Sequence, residues 1–283
     1  METPDRPPLD VALLSELLAG PAGPLRRLEV VASSPSTSSE LVAAVAADPA
    51  AWPAPALLVA EHQVAGRGRS GRSWETPAGS ALTCSLLVRP SVPRETMTWL
   101  PLLAGLAAVT ALRSTAGVRA AVKWPNDVLV PGDGTDVTGW GGHRKVAGIL
   151  TELLPDGGAV VGVGLNVTQT PDELPVPSAT SLAMVGAATT DRTVLLTALA
   201  ESFAEIAGRW SAAGGDAVAA GLRDDVAGAC ATIGAHVRAE LSDGRAVHGT
   251  ARGLAPDGAL EVRTATGELH TVHSGDVHHL RLN

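Results

Sequence analysis

The sequence predicts an α/β (α+β) fold in which a mixed sheet packed with helices precedes a small β-barrel. Up to about residue 230, apolar runs typical of strands alternate with segments of helical spacing, as expected for a sheet covered by helices. After Cys230 the pattern changes to short alternating runs separated by turn residues such as Asp257-Gly258. These runs are Ala235–Leu241, Val247–Leu254, Ala259–Thr264 and Glu268–Val272.

This change of pattern divides the chain into three parts. Residues 1–24 form an N-terminal lead with one short helix, residues 25–230 form the main domain, and residues 231–283 form the C-terminal domain. A chain of 283 residues is compatible with one to two domains and a substantial core. The pairs Asp243-Gly244 and Thr266-Gly267 predict further hairpin turns in the C-terminal domain.

The individual elements follow from apolar spacing and from residues that break helices and strands. The predicted helices are Asp10–Leu18, Glu40–Ala47, Trp99–Ala116, Thr193–Ala212 and Asp216–Val226. The predicted strands of the main domain are Leu25–Ala32, Leu57–Glu61, Ala81–Val88, Val118–Lys123, Asp127–Val130, Lys145–Leu153 and Ala159–Gly164. Pro131–Arg144 and Thr168–Leu182 are expected to be loops, the first a Gly-rich exposed flap for which the sequence suggests no chemistry.

Composition excludes several classes of function. A formal net charge of −8 disfavours a nucleic-acid-binding surface, which needs a basic face. No apolar run reaches the ~18 residues of a membrane helix, and the N-terminus lacks the pattern of a signal peptide. Cys84 and Cys230 lack metal-site spacing, which favours buried thiols in a reducing compartment. We therefore expect a cytoplasmic protein without a membrane or nucleic-acid partner.

The stretch Glu61–Trp74 is suited to holding an anion. Glycines at 66, 68 and 71 alternate with arginines at 67, 69 and 72, so mobile backbone N–H groups combine with planar charged side chains. The loop matches a dinucleotide fingerprint and nearly matches a P-loop, but both require a helix to begin there. The following residues break a helix and lead into a strand. A solvated basic loop without function is the alternative at this stage.

Lysine usage points to a second candidate segment. The chain has 21 basic residues, of which only Lys123 and Lys145 are lysines and the remaining 21 − 2 = 19 are arginines. Lys123 opens the run Lys123–Asp127, which reads Lys-Trp-Pro-Asn-Asp. Because lysine is a compact point charge with rotatable donors, it suits a tight site shared by a carboxylate and a phosphate.

Taken together, these motifs resemble those of the biotin–protein ligases. The matching segments are residues 36–38 (Ser-Thr-Ser), 61–74, 123–127, 145–150 and 162–166, in the order of that family. The resemblance implies a class II synthetase-like catalytic domain at 25–230 and an SH3-like barrel at 231–283. It also implies the short form that lacks the N-terminal DNA-binding domain, because only about two dozen residues precede the first strand.

The resemblance also implies the site residues. Lys123 and Arg69 would be catalytic, and no metal site made of protein groups alone is expected. Biotin would be bound by Ser36, Thr37, Ser38, Gln63, Gly66, Arg67, Gly68, Arg69, Lys123 and Gly148, and ATP or adenylate by Arg69, Arg72, Trp74, Asn126, Lys145 and Asn166. From the residues alone, the Ser-Thr-Ser cluster is equally typical of a helix N-cap. The family usually has Asn at the position of Ser38.

The implied reaction uses ATP, Mg²⁺ and biotin to form biotinyl-5′-AMP and then to acylate a lysine of a carrier protein. The partner would be the biotin carboxyl carrier domain of an acyl-CoA carboxylase, and the enzyme a monomer or weak homodimer. Two alternatives remain at this stage, namely a lipoate or octanoyl ligase or transferase of the same fold and a ligand-binding regulator. Four histidines of the C-terminal domain are expected at the surface, without a metal role; they are His270, His273, His278 and His279.

Overall fold

A seven-stranded mixed sheet forms the main domain in our computed structural model, which describes residues 5–241 and 244–280. The N-terminal elements are α1 (Val11–Ala19), β1 (Arg27–Val31), α2 (Thr37–Ala47), β2 (Ala56–Ala60), β3 (Gly66–Arg67), β4 (Ser73–Trp74), β5 (Ala81–Val88) and α3 (Leu100–Thr115). The later ones are β6 (Ala121–Lys123), β7 (Asp127–Pro131), β8 (His143–Leu153), β9 (Ala159–Asn166), α4 (Arg192–Ala212) and α5 (Leu222–Ala229). The sheet order is β1-β2-β5-β9-β8-β7-β6, with β1 parallel to β2 and the other neighbours antiparallel.

The two faces of this sheet differ because successive side chains of a strand point to opposite sides. On β9, Val161, Val163 and Leu165 belong to the large hydrophobic core. The residues between and after them are Gly162, Gly164 and Asn166, which lie on the opposite face. The apolar face is therefore covered by helices, and the face with glycine and asparagine leaves room above the sheet.

Helices α3 and α4 cover the apolar face, and α3 is the central core helix, as the sequence predicts. With the 3₁₀ turn that precedes it, the segment Arg94–Thr115 is long and apolar enough to cross a membrane. However, 72% of the 18-residue apolar stretch within this segment is buried inside the protein. The packing of the helix therefore accounts for its hydrophobicity.

Helix α2 covers one end of the opposite face. Leu41 and Val45 of the helix pack with Leu58, Leu87 and Val160 of the sheet in a second, smaller hydrophobic cluster. The sequence places the start of this helix at Glu40, whereas it begins at Thr37 with Ser36 as its N-cap. The N-terminus of α2 therefore lies beside the uncovered part of the sheet.

Two predictions of local structure were wrong, and each has a physical cause. The segment Asp216–Val226 is not one helix, because Gly221 adopts a left-handed conformation (φ 72°) and α5 begins only at Leu222. The C-terminal domain contains five strands instead of four. The missed strand, Asp276–Leu280, follows Gly275 and includes two histidines, so it lacks a clear apolar alternation.

The C-terminal strands are β10 (His236–Glu240), β11 (Ala246–Leu254), β12 (Leu260–Arg263), β13 (Leu269–Val272) and β14 (Asp276–Leu280). They form an antiparallel sheet in the order β13-β12-β11-β10-β14. The predicted fold class is confirmed. The predicted boundaries 1–24, 25–230 and 231–283 remain a prediction. Within them, residues 1–4, Asp243 of the predicted Asp243-Gly244 turn and residues 281–283 lie outside the described residues.

The two domains are joined by buried tryptophans. Trp99 donates its indole N–H to the carbonyl of Pro256 (2.8 Å), and Trp124 donates to the carbonyl of Gly258 (3.0 Å). The large hydrophobic core is continuous across this contact, since it includes Leu260 of β12. The β11–β12 turn therefore fixes the C-terminal domain against the start of α3.

Gly258 offers a test of this contact. It has a φ of +84°, and a Cβ there would lie 3.2 Å from Leu102 and 3.4 Å from Trp99. Gly267 has the same handedness (φ +88°) but nothing within 4 Å, so it is a matched control. Both alanine substitutions should lose about 1–2 kcal/mol to left-handed strain, and Gly258→Ala about 1 kcal/mol more through overpacking. Urea unfolding would measure both losses; equal values would show that the contact is loose.

Candidate functional site

A cavity of about 530 Å³ lies above the uncovered face of the sheet. It is bounded by the N-terminus of α2, by β14 and by the loop of alternating glycine and arginine at residues 66–72, called the Gly-Arg loop below. Of the predicted site residues, the following line it: Ser36, Thr37, Ser38, Gln63, Arg67, Gly68, Arg69, Arg72, Trp74, Lys123, Asn126, Lys145, Gly148 and Asn166. Gly66 does not line it. That residue pairs β3 with Trp74 of β4, and a Cβ there would overlap the side chain of Gln63.

One end of the cavity carries neutral polar groups. Ser36 accepts a hydrogen bond from the Ser39 N–H as the N-cap of α2, so the capping interpretation holds for this residue. Thr37 and Ser38, which are buried like Ser36, bond instead to Ser85 Oγ, at 2.8 and 2.9 Å. The Thr37 N–H donates to the Gln63 side-chain carbonyl (3.0 Å). This cluster offers both donors and acceptors to an uncharged polar ring.

The floor of the cavity is made of glycines on neighbouring strands. A Cβ at Gly162 would overlap Ser38 Oγ, and one at Gly164 would lie 2.6 Å from Nε1 of Trp74. At Gly148 a Cβ would lie 3.2 Å from the Trp74 ring. Only glycine fits at these strand positions, because the Trp74 indole and the Ser38 hydroxyl pack directly on the backbone. The Trp74 Nε1 atom is buried and has no hydrogen-bond partner among residues 5–241 and 244–280.

Lys123 ends β6 with its side chain in the cavity and is only 6% exposed. No carboxylate among the described residues forms an ion pair with its ammonium. The ring centroid of Trp140 lies 4.1 Å from Nζ instead. Burial lowers the pKa of Lys123, against an opposing effect of the Asp127 charge. The site thus contains a desolvated ammonium beside open space, which favours an anionic ligand.

Lys145, the other lysine, has a different environment. Its Nζ forms an ion pair with Asp127 (2.6 Å) and lies 5.4 Å from the centroid of the Trp74 ring. The structure therefore brings both lysines of the chain to one cavity. Asp127 neutralises Lys145 directly, so Lys123 keeps the uncompensated charge.

The arginines of the loop are each held by a different partner. Arg67 pairs with Glu152 of β8 (2.7 Å). Arg69 donates to Asn126 Oδ1 (3.0 Å) and lies 3.5 Å from the carbonyl oxygen of Gly275. Arg72 pairs with Asp276 of β14 (2.5 Å). The loop is thus attached to the C-terminal domain by two of its three arginines.

Asn126 and Asn166 hold the backbone around the cavity. Asn126 donates to the carbonyl of Ile149 (2.8 Å). Asn166 donates to the carbonyl of Thr180 (2.9 Å), and its Oδ1 accepts from Gln169 (3.0 Å). Asn126 therefore joins β8 to the site, and Asn166 joins the 168–182 loop to it. Each side-chain oxygen accepts one hydrogen bond, so it can accept another from a ligand.

Sequence reasoning missed the contributions of two segments. Trp140 of the 131–144 flap reaches Lys123, although the flap was expected to be without chemistry. A lone tryptophan in a Gly-rich polar segment was the available signal. Asp276 and His278 line the cavity from β14, for which the sequence offers no comparable signal.

The expectation that all four C-terminal histidines lie at the surface was wrong for His279, because β14 was not recognised. The side chain of His278 is 40% exposed, although it also lines the cavity, whereas His279 is partly buried with its Nε2 3.1 Å from the Thr232 hydroxyl. Burial, together with the Lys123 charge, lowers the pKa of His279 to about 4. This imidazole is therefore neutral at physiological pH.

The remaining reactive groups favour charge stabilisation over nucleophilic catalysis. Burial raises the pKa of the Cys84 thiol to about 12, so this cysteine at the cavity wall stays protonated. Within residues 5–241 and 244–280, no group of three or more His, Cys, Asp or Glu side chains is placed to hold a metal ion. A second cleft of about 660 Å³ lies on the other side of the Gly-Arg loop, against the C-terminal domain.

Comparison with known proteins agrees with this geometry. The model of the biotin/lipoate A/B protein ligase family matches residues 31–168, and that of the biotin protein ligase C-terminal domain matches residues 232–280. A biotin–[acetyl-CoA-carboxylase] ligase of Mycobacterium tuberculosis is 39% identical over 98% of this chain and 97% of that protein. A bifunctional ligase/repressor of Bacillus spizizenii is 29% identical over 88% of this chain and 72% of that protein.

The fold leads to the same group of proteins. The biotin protein ligase of Aquifex aeolicus, solved in complex with biotin and ATP, superposes with a TM-score of 0.68 and 26% identity. The match covers 90% of this chain and 98% of the Aquifex chain. Sequence and fold thus agree across both domains, and the chain belongs to the biotin–protein ligase family.

Proposed function

We propose that the chain is an ATP-dependent ligase that activates biotin as biotinyl-5′-AMP and transfers it to a lysine of a biotin carboxyl carrier domain. One observation carries the proposal. A single cavity joins a neutral donor–acceptor cluster, a buried ammonium that pairs with no described carboxylate and a loop with three arginines. Biotin has a neutral ureido ring and a carboxylate, and ATP supplies the phosphates, so each part of the cavity has a matching group.

The substrates take a definite order along the cavity. The ureido ring lies at the cluster of Thr37, Ser38 and Gln63, whose hydroxyls and amide both donate and accept. The biotin carboxylate then points to Lys123, and the nucleotide occupies the side near Trp74 and Asn166.

In the first step, a biotin carboxylate oxygen attacks the α-phosphorus of ATP. A new O–P bond forms as the bond between the α-phosphorus and the bridging oxygen breaks, and pyrophosphate leaves with the electron pair. Such transfers depend on positioning and on neutralising charge. Lys123 bridges the carboxylate and the α-phosphate; at ~4 Å and an effective dielectric constant near 20, one charge pair contributes about 4 kcal/mol before desolvation. Arg69 and Arg72 close over the phosphates.

In the second step, the ε-amine of the carrier lysine attacks the acyl carbon of the mixed anhydride. The C–N bond forms, the C–O bond to phosphate breaks, AMP leaves and the amine loses its proton. Cys84 takes no part, because its thiol stays protonated. Water exclusion matters in this interval, since the anhydride also reacts with water and other amines.

Mg²⁺ accompanies the nucleotide in this proposal and supplies charge neutralisation on the polyphosphate. The donor set fits that role. Four carboxylates line the cavity, and three of them form ion pairs: Asp127 with Lys145, Glu173 with Arg6 and Asp276 with Arg72. The fourth, Glu75, forms no ion pair with another described residue and would be the carboxylate available to the ion. Because Mg²⁺ in such sites takes most of its ligands from phosphates and water, one or two carboxylates suffice.

We further propose that the protein acts in the cytoplasm as a monomer or weak homodimer and does not bind nucleic acid. The formal charge of −8 supports the last point, because nucleic-acid binding needs basic surface. Size-exclusion chromatography across a range of concentrations measures the oligomeric state. A sequence-specific, salt-sensitive gel shift at submicromolar protein would refute the nucleic-acid part.

The deciding experiment compares biotin with lipoate as the acid. Pyrophosphate release from ATP should depend on biotin, and a purified carrier domain should then become detectable with streptavidin. Release with lipoate or octanoate, but not with biotin, would identify a lipoate-type ligase instead.

Lys123→Ala should keep the fold and lose adenylate synthesis. Removing a group that stabilises transition-state charge lowers kcat by about 10²–10³-fold. Pyrophosphate release measures the rate, and circular dichroism checks the fold. Lys123→Arg is the control for charge without the compact geometry, and it should recover little activity. Normal biotinyl-AMP formation by Lys123→Ala would remove this residue from the mechanism.

Arg69→Gly should still make biotinyl-5′-AMP but release it faster. Arg69 attaches the loop to Asn126 and Gly275, so its loss frees the loop while Lys123 stays in place. Incubation with ATP, biotin and serum albumin should therefore label albumin several-fold more than wild type does. Arg119→Gly, an exposed arginine away from the cavity, is the control. Unchanged albumin labelling with normal adenylate synthesis would show that Arg69 does not close the loop.

A further inference from the structure

We propose that Trp140, on the 131–144 flap, is a positioning residue that holds the Lys123 ammonium for the biotin carboxylate and the α-phosphate. This inference rests on the proposed function, because it assigns a role within the same cavity. It begins with the contact itself. The Trp140 ring centroid is 4.1 Å from Lys123 Nζ, well within the range of a cation–π interaction.

Hydrogen bonds within the flap hold the Trp140 side chain in place. Arg144 at its end is buried, and its guanidinium bonds to the Asp133 carboxylate (3.2 Å) and the Thr135 hydroxyl (2.6 Å). The Gly132 N–H donates to the Gly142 carbonyl (2.8 Å) across the neck of the flap. Trp140 therefore projects from a braced segment instead of a free loop.

The flap is also attached to the C-terminal domain. The backbone N–H of His279 donates to the carbonyl of Gly139 (3.0 Å), so β14 bonds to the residue that precedes the tryptophan. Gly139 has a φ of +80°, and a Cβ there would lie 2.8 Å from His278 Nδ1. A side chain at 139 would thus be strained and would push the flap away from β14.

The contact explains how the ammonium keeps both its charge and its place. Lys145 takes the ion pair with Asp127, and no described carboxylate pairs with Lys123. The face of an indole attracts a cation without offering a negative charge that would repel incoming anions. Trp140 therefore covers one side of the ammonium and leaves its N–H donors to the carboxylate and phosphate. A lysine with four rotatable bonds would otherwise sample several orientations.

The test uses variants that separate the π face from apolar bulk. Trp140→Leu keeps an apolar group without the ring, and Trp140→Phe keeps a smaller ring. We expect Trp140→Leu to lower kcat for pyrophosphate release about tenfold with little change in KM for biotin, and Trp140→Phe to stay within about threefold of wild type. Thr138→Ala, at an exposed position of the same flap, should match wild type.

A pH profile provides a readout that a purely structural role would not change. Loss of the indole disfavours the charged amine, so the alkaline limb of kcat should move to lower pH in Trp140→Leu and less in Trp140→Phe. The other charged or titratable groups around Lys123 are the same in every variant; they are Asp127, Lys145, Arg72, Asp276, His279 and, at the cavity wall, His278. A difference between variants therefore reports position 140.

The outcomes are distinct. If Trp140→Leu keeps wild-type kcat and pH profile, or if Trp140→Phe is as impaired as Trp140→Leu, Trp140 does not position Lys123 through its ring. Should Trp140→Leu fail to fold, Trp140→Met provides the same comparison, because its flexible side chain fills irregular space. A wild-type protein that releases no pyrophosphate with biotin would refute the proposed function instead of this inference.

Discussion

The site depends on a buried ammonium that forms no ion pair within the part of the chain that the structure describes. Taking the Lys123 charge out of water is unfavourable, and burial lowers its pKa accordingly. The charge of Asp127 opposes this shift, but its carboxylate forms an ion pair with Lys145. The protein therefore keeps the Lys123 charge available where an anion can reach it, and the face of Trp140 lies against the ammonium.

The C-terminal domain contributes directly to the site. Gly275, just before β14, accepts from Arg69, Asp276 of β14 pairs with Arg72, and His279 of the same strand bonds to the flap that carries Trp140. The tryptophans Trp99 and Trp124 hold the domain in place from the other side. A cavity that handles a reactive anhydride benefits from this closure, because loop and flap are both tied to one strand.

The sheet makes the space that these groups surround. On β9 the alternation of valine or leucine with glycine directs bulk to the helical core and leaves the other face bare. Trp74 and Ser38 then pack directly on the glycine backbone, which removes room for any larger side chain. One strand pattern thus determines both the core and the floor of the cavity.

Much of this protein was determined by its sequence alone. The alternation of runs specified the fold class, and the Gly-Arg loop, Lys-Trp-Pro-Asn-Asp and the Ser-Thr-Ser cluster identified residues that the structure places at one cavity. Residue chemistry marked the Gly-Arg loop and the lysine motif, whereas the resemblance to the family assigned the Ser-Thr-Ser cluster to the site. Their roles in substrate binding remain predictions. The split of Asp216–Val226 into a turn and α5 was not predicted, because a single glycine conformation decided it.

Only the tertiary structure decided which long-range partners complete the site. Asp276 and His278 come from a strand whose sequence has no clear alternation, and Trp140 comes from a flap that follows strand β7. The resemblance distinguished the two lysines, but only the tertiary structure decided which of them pairs with Asp127. Contacts between residues distant in the chain depend on how the two domains pack, and no local pattern encodes that packing.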